Sequence, residues 1–246
     1  MPSAEKIKLI KKLHAKKYRQ KYSQFLVEGE KNTQEFINAG WSLDHIFIQK
    51  EKEELISLYK GKPIELVSEN EMERMSAHQN APPIMATFNI PKGKRAPSTN
   101  KSTLILDNLN NPGNLGTIIR IADWYGIEQI LVGGQTVDEF NPKVIAASMG
   151  SSSRVMIYRE EIIDFINSFK GEVFAAHMQG QSLSSLKEVK FPFALVMGNE
   201  SHGVDSHFIN HEKVKTITIQ RIGKAESLNV AVAAGIMLQG LTAYAK

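Results

Sequence analysis

The chain has no cysteine, which excludes disulfides, thiolate zinc sites and a cysteine nucleophile. It also lacks any apolar run approaching the ~18 residues needed to cross a bilayer. At the N-terminus Ile7, Leu9 and Ile10 are embedded among lysines instead of forming the apolar core of a signal peptide. A cytoplasmic protein with no membrane association is expected. Acidic residues are scarce in two places. Residues 1–22 hold eight Lys/Arg against Glu5 alone, a net +7, and residues 91–102 hold Lys92, Lys94, Arg95 and Lys101 with no acid. The whole chain is only +4, so the remainder is acidic. Two basic segments on an acidic protein suggest contact with a polyanion. A solvated lysine-rich helix and a flexible linker would give the same pattern.

What is present is enough apolar material for one large domain or two small ones over 246 residues. Residues 5–17 read as one amphipathic helix, with Ile7, Leu9, Ile10 and Leu13 on one side. Strand and helix patterns then alternate: strands at 25–27, 43–49 and 64–67, helices at 31–39, 51–59 and 68–75. This alternation predicts a small α/β domain with a largely parallel sheet. Residues 91–102 carry two prolines, a glycine and almost no apolar anchor, and read as a linker. The expected boundaries are 1–92 and 103–246, with 93–102 between. Beyond the linker, strands are expected at 103–106, 129–132, 172–176, 193–197 and 215–219. Helices are expected at 115–125, 142–148 and 159–169 and from about 228 to 244.

Three segments of the second part join a strand to a helix through a polar, glycine-containing turn, the kind of junction at which α/β sheets bind ligands. In Asn110-Asn-Pro-Gly-Asn114-Leu-Gly116, Pro112 and Gly113 make a turn, Gly116 permits close backbone approach, and the helix start offers free amides. Arg120, one turn past Gly116, suits bidentate phosphate binding. In Gly198-Asn-Glu200-Ser-His-Gly203 two glycines bracket polar groups after the apolar Leu195-Val-Met197. Neither the G-x-S-x-G elbow nor a phosphate loop fits it. The third segment runs from Ile219 through Gly223 to Ser227-Leu228-Asn229-Val230 and opens an apolar helix. Serine at such a boundary is ordinarily an N-cap; Asn229, polar at the head of an apolar run, caps or bridges backbone. Taken singly, each segment is matched by a plain turn. His202, His207 and His211 do not make a metal site, since no cysteine supports them and the third ligand would come from a separate turn.

In this order the three segments resemble the SpoU/TrmH family of RNA ribose 2′-O-methyltransferases of the SPOUT class. Asn114, Gly116 and Arg120 match the first family motif, and Gly198, Glu200 and Gly203 the second. Ile219, Gly223, Ser227, Leu228, Asn229 and Val230 match the third, and Ser148-Met-Gly150 is a further small glycine element. Gln220 and Arg221 depart from the proline and apolar residue usual in the third motif. Lys16-Lys-Tyr-Arg19 followed by Phe25-Leu-Val-Glu28-Gly29 resembles the RNA-binding domain fused to rRNA-directed members.

The resemblance implies an α/β fold: a C-terminal, trefoil-knotted SPOUT methyltransferase domain behind a small ribosomal-protein-like α/β domain. It implies methyl transfer from S-adenosylmethionine to a ribose 2′-OH, in rRNA before tRNA, by a homodimer that needs no metal. A non-catalytic RNA-binding or ribosome-assembly protein is the alternative. It places Arg120, Ser227, Asn229, Asn114 and Glu200 in the catalytic set, with Glu200 bracing its loop. Met197, Gly198, Gly203, Ile219, Gly223 and Leu228 would hold the cofactor, and Lys11, Lys12, Lys16, Lys17 and Arg19 would meet RNA.

Overall fold

The computed structural model describes residues 2–93, 95–199 and 201–243. Contacts divide the chain into two units: Met1–Lys94 with Asp138–Ser153, and Arg95–Val137 with Arg154–Lys246. The segment 138–153, read from sequence as part of the second domain, therefore packs with the first.

In the first unit the expected single basic helix is two, α1 (Ala4–Lys12) and α2 (Lys16–Tyr22). β1 (Gln24–Glu28), α3 (Glu30–Asn38) and β2 (Leu43–Gln49) follow. A 3₁₀ segment spans Lys50–Tyr59, where a continuous helix was expected. β3 (Ile64–Val67) leads to α4 (Glu69–Met75), entered through a reciprocal Ser68–Glu71 capping box. β4 (Ile84–Asn89) was not foreseen, and it changes the sheet. The order is β1-β4-β2-β3, with β4 antiparallel to both neighbours and only β2–β3 parallel, so the sheet is mixed. A fourth strand between β1 and β2 displaces the direct parallel pairing that alternation suggested.

The second unit begins with β5 (Thr103–Asp107), buried along its whole length as an interior parallel strand should be. α5 (Pro112–Trp124) and β6 (Gln129–Gly133) complete a crossover. The chain then supplies α6 (Pro142–Ser148) to the first unit. There Phe140 enters the Phe25–Phe36–Trp41–Phe88 cluster, its ring centroid 4.6 Å from that of Phe25, and the Trp41 indole donates to Ser153 O at 2.9 Å. Back in the second unit come β7 (Met156–Arg159), α7 (Ile162–Ser168), β8 (Glu172–Ser182) and β9 (Phe193–Met197). α8 (Ser206–Ile209), β10 (Val214–Thr218) and α9 (Val230–Ala243) close it.

The six strands are all parallel, in the order β10-β8-β9-β5-β6-β7. Ile105, Leu131, Ala194 and Val196 face α7 and Val204 on one side of the sheet, and α5 packs with α9. Residues 98–102, compositionally linker, are held to the second unit. The Gln129 amide accepts from Ser98 N at 3.0 Å and donates to Ser98 O and to Thr103 Oγ1. Among the described residues no helix is long and apolar enough to cross a membrane.

Candidate functional site

The carboxyl ends of β9, β5 and β6 are neighbours at the centre of the second sheet, and their loops are tied together by side-chain amides. Asn108 adopts a left-handed backbone, φ +54°, just past β5. Its Oδ1 accepts from Gln135 N at 2.9 Å, and its carbonyl accepts from Asn199 Nδ2 at 2.8 Å. Leu109 O accepts from Val137 N at 2.9 Å, and Leu109 N donates to Thr136 Oγ1 at 3.2 Å. One short asparagine loop thus orients the other two.

Beside it Asp107 is buried and accepts from Asn108 Nδ2 at 3.0 Å. Burial pushes its carboxyl above the usual range, and Asp205 adds to the rise. At neutral pH the native state therefore carries a poorly solvated carboxylate; in acid, folded and unfolded chains are both protonated and the penalty vanishes. Asp107→Asn is expected to raise Tm at neutral pH, with the gain shrinking as pH falls through the carboxylate range. Thermal melts across that range check this, and a gain independent of pH would contradict it.

In the loop after β9, Asn199 and Gly203 form a small antiparallel bridge, with N–H to O distances of 3.0 and 2.9 Å. Ser201 N donates to Asn199 Oδ1 at 2.8 Å. A Cβ on Gly198 would sit 1.9 Å from Gly203 O and 2.3 Å from Val204 N, both backbone atoms that cannot swing away. Gly203 has φ +70°. The two motif glycines thus fold the loop onto itself above buried Met197. Gly198→Ala is expected to force this loop open at a cost of about 1–3 kcal/mol. Chemical denaturation and cofactor binding would both register it. Glu200 lies outside the described residues.

After β10 the chain runs as an exposed loop. Ile219 is half-buried, while Gln220 to Asn229, including Gly223, are exposed. No backbone N–H from Gln220 to Leu228 donates within the described protein. Arg221, one of the two departures from the family motif, reaches Ala225 O at 3.5 Å.

At the head of α9 the structure brings the first and third motifs together. Asn229 Nδ2 donates to Asn114 Oδ1 at 3.0 Å across 115 residues of sequence. Asn229 Oδ1 also accepts from Ala231 N at 2.9 Å and Val232 N at 3.4 Å, so Asn229, not Ser227, caps α9. Ser227 is exposed and makes no hydrogen bond among the described residues. The amides expected to be free at the start of α5 are partly used, since Asn111 Oδ1 accepts from Gly113 N and Asn114 N. Arg120 is exposed on α5 with no ion pair or hydrogen bond among the described residues. It stands about 120° round the helix from Asn114 at 100° per residue, so the chain does not bring it into the Asn114–Asn229 pair.

In the first unit Lys11, Lys12, Lys16 and Lys17 are exposed. Arg19 is not: it is 2% exposed. Its Nη1 donates to Leu13 O at 2.7 Å and His14 O at 2.9 Å, and its Nε and Nη2 hold Asp138 Oδ2. The basic run thus contains one arginine committed to internal packing, and Arg19 does not belong with the exposed lysines as an RNA contact. Sequence reasoning also passed over Asn108, Asn199 and Asp107. The signal available was a polar pair, Asp107-Asn108, directly after the apolar run Leu104-Ile-Leu106.

A six-stranded parallel sheet with glycine and asparagine loops at the carboxyl ends of its central strands is an α/β ligand-binding architecture, and its structural neighbours place it in the SPOUT methyltransferase class. Residues 101–239 match the model of the SpoU rRNA methylase family, and residues 4–86 match an MRM3-like substrate-binding domain. The chain is 32% identical to 23S rRNA (guanosine(2553)-2′-O)-methyltransferase RlmP of Bacillus subtilis, over 96% of each chain. It superposes on a TrmH-family structure from Porphyromonas gingivalis with TM-score 0.87, 32% identity and 98% coverage of both chains. An AdoMet-bound rRNA methyltransferase from Sinorhizobium meliloti matches with TM-score 0.84 and 28% identity, covering 98% of this chain and 96% of that one. The chain belongs to the SpoU rRNA methylase family.

Proposed function

We propose that this protein transfers a methyl group from S-adenosylmethionine to a ribose 2′-OH of rRNA in the cytoplasm. The observation that carries the reading is the Asn229–Asn114 hydrogen bond, which joins the first and third family motifs at one point. Residues 1–92 would engage the substrate, with 138–153 packed against them, and the rest of 103–246 would carry the chemistry.

The loops fit the cofactor. The undonated N–H groups of Gln220–Leu228 suit an adenosine read by backbone, and Met197 with Gly198 offers an apolar floor. Gly203, Ile219 and Gly223 shape the same loops. When bound, the cofactor would supply an electrophilic sulfonium methyl for transfer to the ribose oxygen, with a neutral thioether as the leaving group. Positioning then supplies much of the rate.

Arg120 clamps the phosphate next to the target ribose, and that phosphate accepts the hydroxyl proton or relays it to solvent, since guanidinium stays protonated. Ser227 and Asn229 orient the ribose, and Asn114 fixes Asn229. Lys11, Lys12, Lys16 and Lys17 hold the RNA backbone.

The active form is a homodimer. α9 has no charged residue in Val230–Ala243, yet Val232 and Ile236, one turn apart, stay 51% and 41% exposed, with Leu228 nearby in sequence at 49%. Exposed apolar side chains one turn apart on an uncharged helix call for cover. A second copy packed there would let Arg120 complete the partner's site.

The test is labelled methyl transfer from S-adenosylmethionine to ribosomal subunits, naked rRNA and tRNA in parallel. Label in rRNA at an alkali-resistant, 2′-O-methylated linkage is expected. Label in tRNA alone, or cofactor binding with no transfer to any RNA, would overturn the assignment.

A further inference from the structure

α2 carries more than charge. Tyr18 and Tyr22 stand one helical turn apart on its surface, both half-buried, with near-parallel rings 16° apart in plane and centroids separated by 6.3 Å. Three ammonium groups lie over these rings: Lys17 Nζ at 4.8 Å and Lys12 Nζ at 5.6 Å from the Tyr18 centroid, and Lys21 Nζ at 5.6 Å from that of Tyr22. Neither phenol hydroxyl has a hydrogen bond among the described residues. Between the two tyrosines, buried Arg19 pins the helix from behind through Leu13 O, His14 O and Asp138. A seven-residue helix held that way presents its aromatic face rigidly.

We infer that Tyr18 and Tyr22 form a stacking platform for unpaired bases, so that the first unit grips a looped or single-stranded segment of its RNA. The inference rests on the RNA-directed reading above and deepens it. Exposed cation–π contacts are weak, so a base can displace an ammonium from a ring face at little cost. The displaced lysine then meets the flanking phosphate, and base and backbone are satisfied together. A continuous A-form duplex would use the lysines and leave the rings idle, because its bases are already stacked.

The experiment compares the full-length protein with its Tyr18→Ala/Tyr22→Ala and Tyr18→Phe/Tyr22→Phe variants. The probes are a short unstructured RNA oligonucleotide and the corresponding blunt RNA duplex, each at several salt concentrations. The alanine pair is expected to weaken single-strand binding about tenfold for each ring that holds a base. Duplex binding and the salt slope should stay unchanged, because no charge is lost. The phenylalanine pair should bind like wild type. Because alanine could also loosen α2, a second measurement uses the wild-type protein alone: an oligonucleotide carrying 2-aminopurine, whose fluorescence is quenched when the base stacks on a ring.

Unchanged single-strand affinity, an equal loss on strand and duplex, weakened binding by the phenylalanine pair, or unquenched 2-aminopurine would each overturn the platform. Methyl transfer by wild type to rRNA is scored separately. If it succeeds while binding ignores the rings, the platform fails and the function stands. If it fails while the rings matter, the function fails and the platform stands.

Discussion

Replacing Arg120 with alanine is expected to lower methyl transfer by about 10²–10³-fold, the range seen when one preorganised charge-stabilising group is removed. It should leave folding almost untouched. Arg120 is exposed and makes no hydrogen bond or ion pair among the described residues, so its removal strands no buried partner. Surface changes of that kind stay within about 0.5 kcal/mol. Cofactor binding should also persist, because the loops around Gly198 and Gln220–Leu228 are built without it. Arg120→Lys is the sharper variant. Lysine keeps the charge but loses the planar fork, so a bidentate phosphate clamp predicts only partial rescue. Single-turnover rates and cofactor titration read the two effects apart, and near-full turnover by the lysine variant would defeat the clamp.

The second large effect falls on the basic N-terminal segment of the first unit and has the opposite character. Arg19→Met should destabilise the first unit by about 3–5 kcal/mol, because breaking a buried pair leaves Asp138 with its charge uncompensated. The Asp138 side chain is only 13% exposed, and the carbonyls of Leu13 and His14 lose their donor as well. Lys16→Ala or Lys17→Ala should change stability little but reduce the salt slope of RNA binding by about one phosphate contact each. Denaturant unfolding and salt-dependent binding measured on these variants separate a structural arginine from RNA-facing lysines. If Arg19→Met kept full stability and lost RNA affinity, the burial account would be wrong.

The parallel sheet was legible because Leu104–Leu106 and the strand at 193–197 are apolar on successive residues, and only an interior strand tolerates that on both faces. The turns were legible because proline, glycine and asparagine have local conformational preferences that act without distant contacts. Gly198 and Gly203 belong there. The mixed character of the first sheet was not legible, since strand direction depends on which strand inserts between which, and Ile84–Asn89 gives no local sign of that. The same holds for residues 98–102, whose composition is that of a linker but whose backbone is held by Gln129 from thirty residues away.

The sequence by itself determined the family and the fold class, because motif order and local turn chemistry are written in one dimension. Tertiary structure alone decided how the members divide. It committed Asn229 to both the α9 cap and Asn114, and among the described residues it left Ser227 without a hydrogen bond and Arg120 bonded to neither. Among look-alike basic residues it buried Arg19 and exposed the lysines beside it. Each of these turns on which group a side chain meets across a hundred residues or more, or on which face of a short helix it occupies, and desolvation settles both only after the chain has packed.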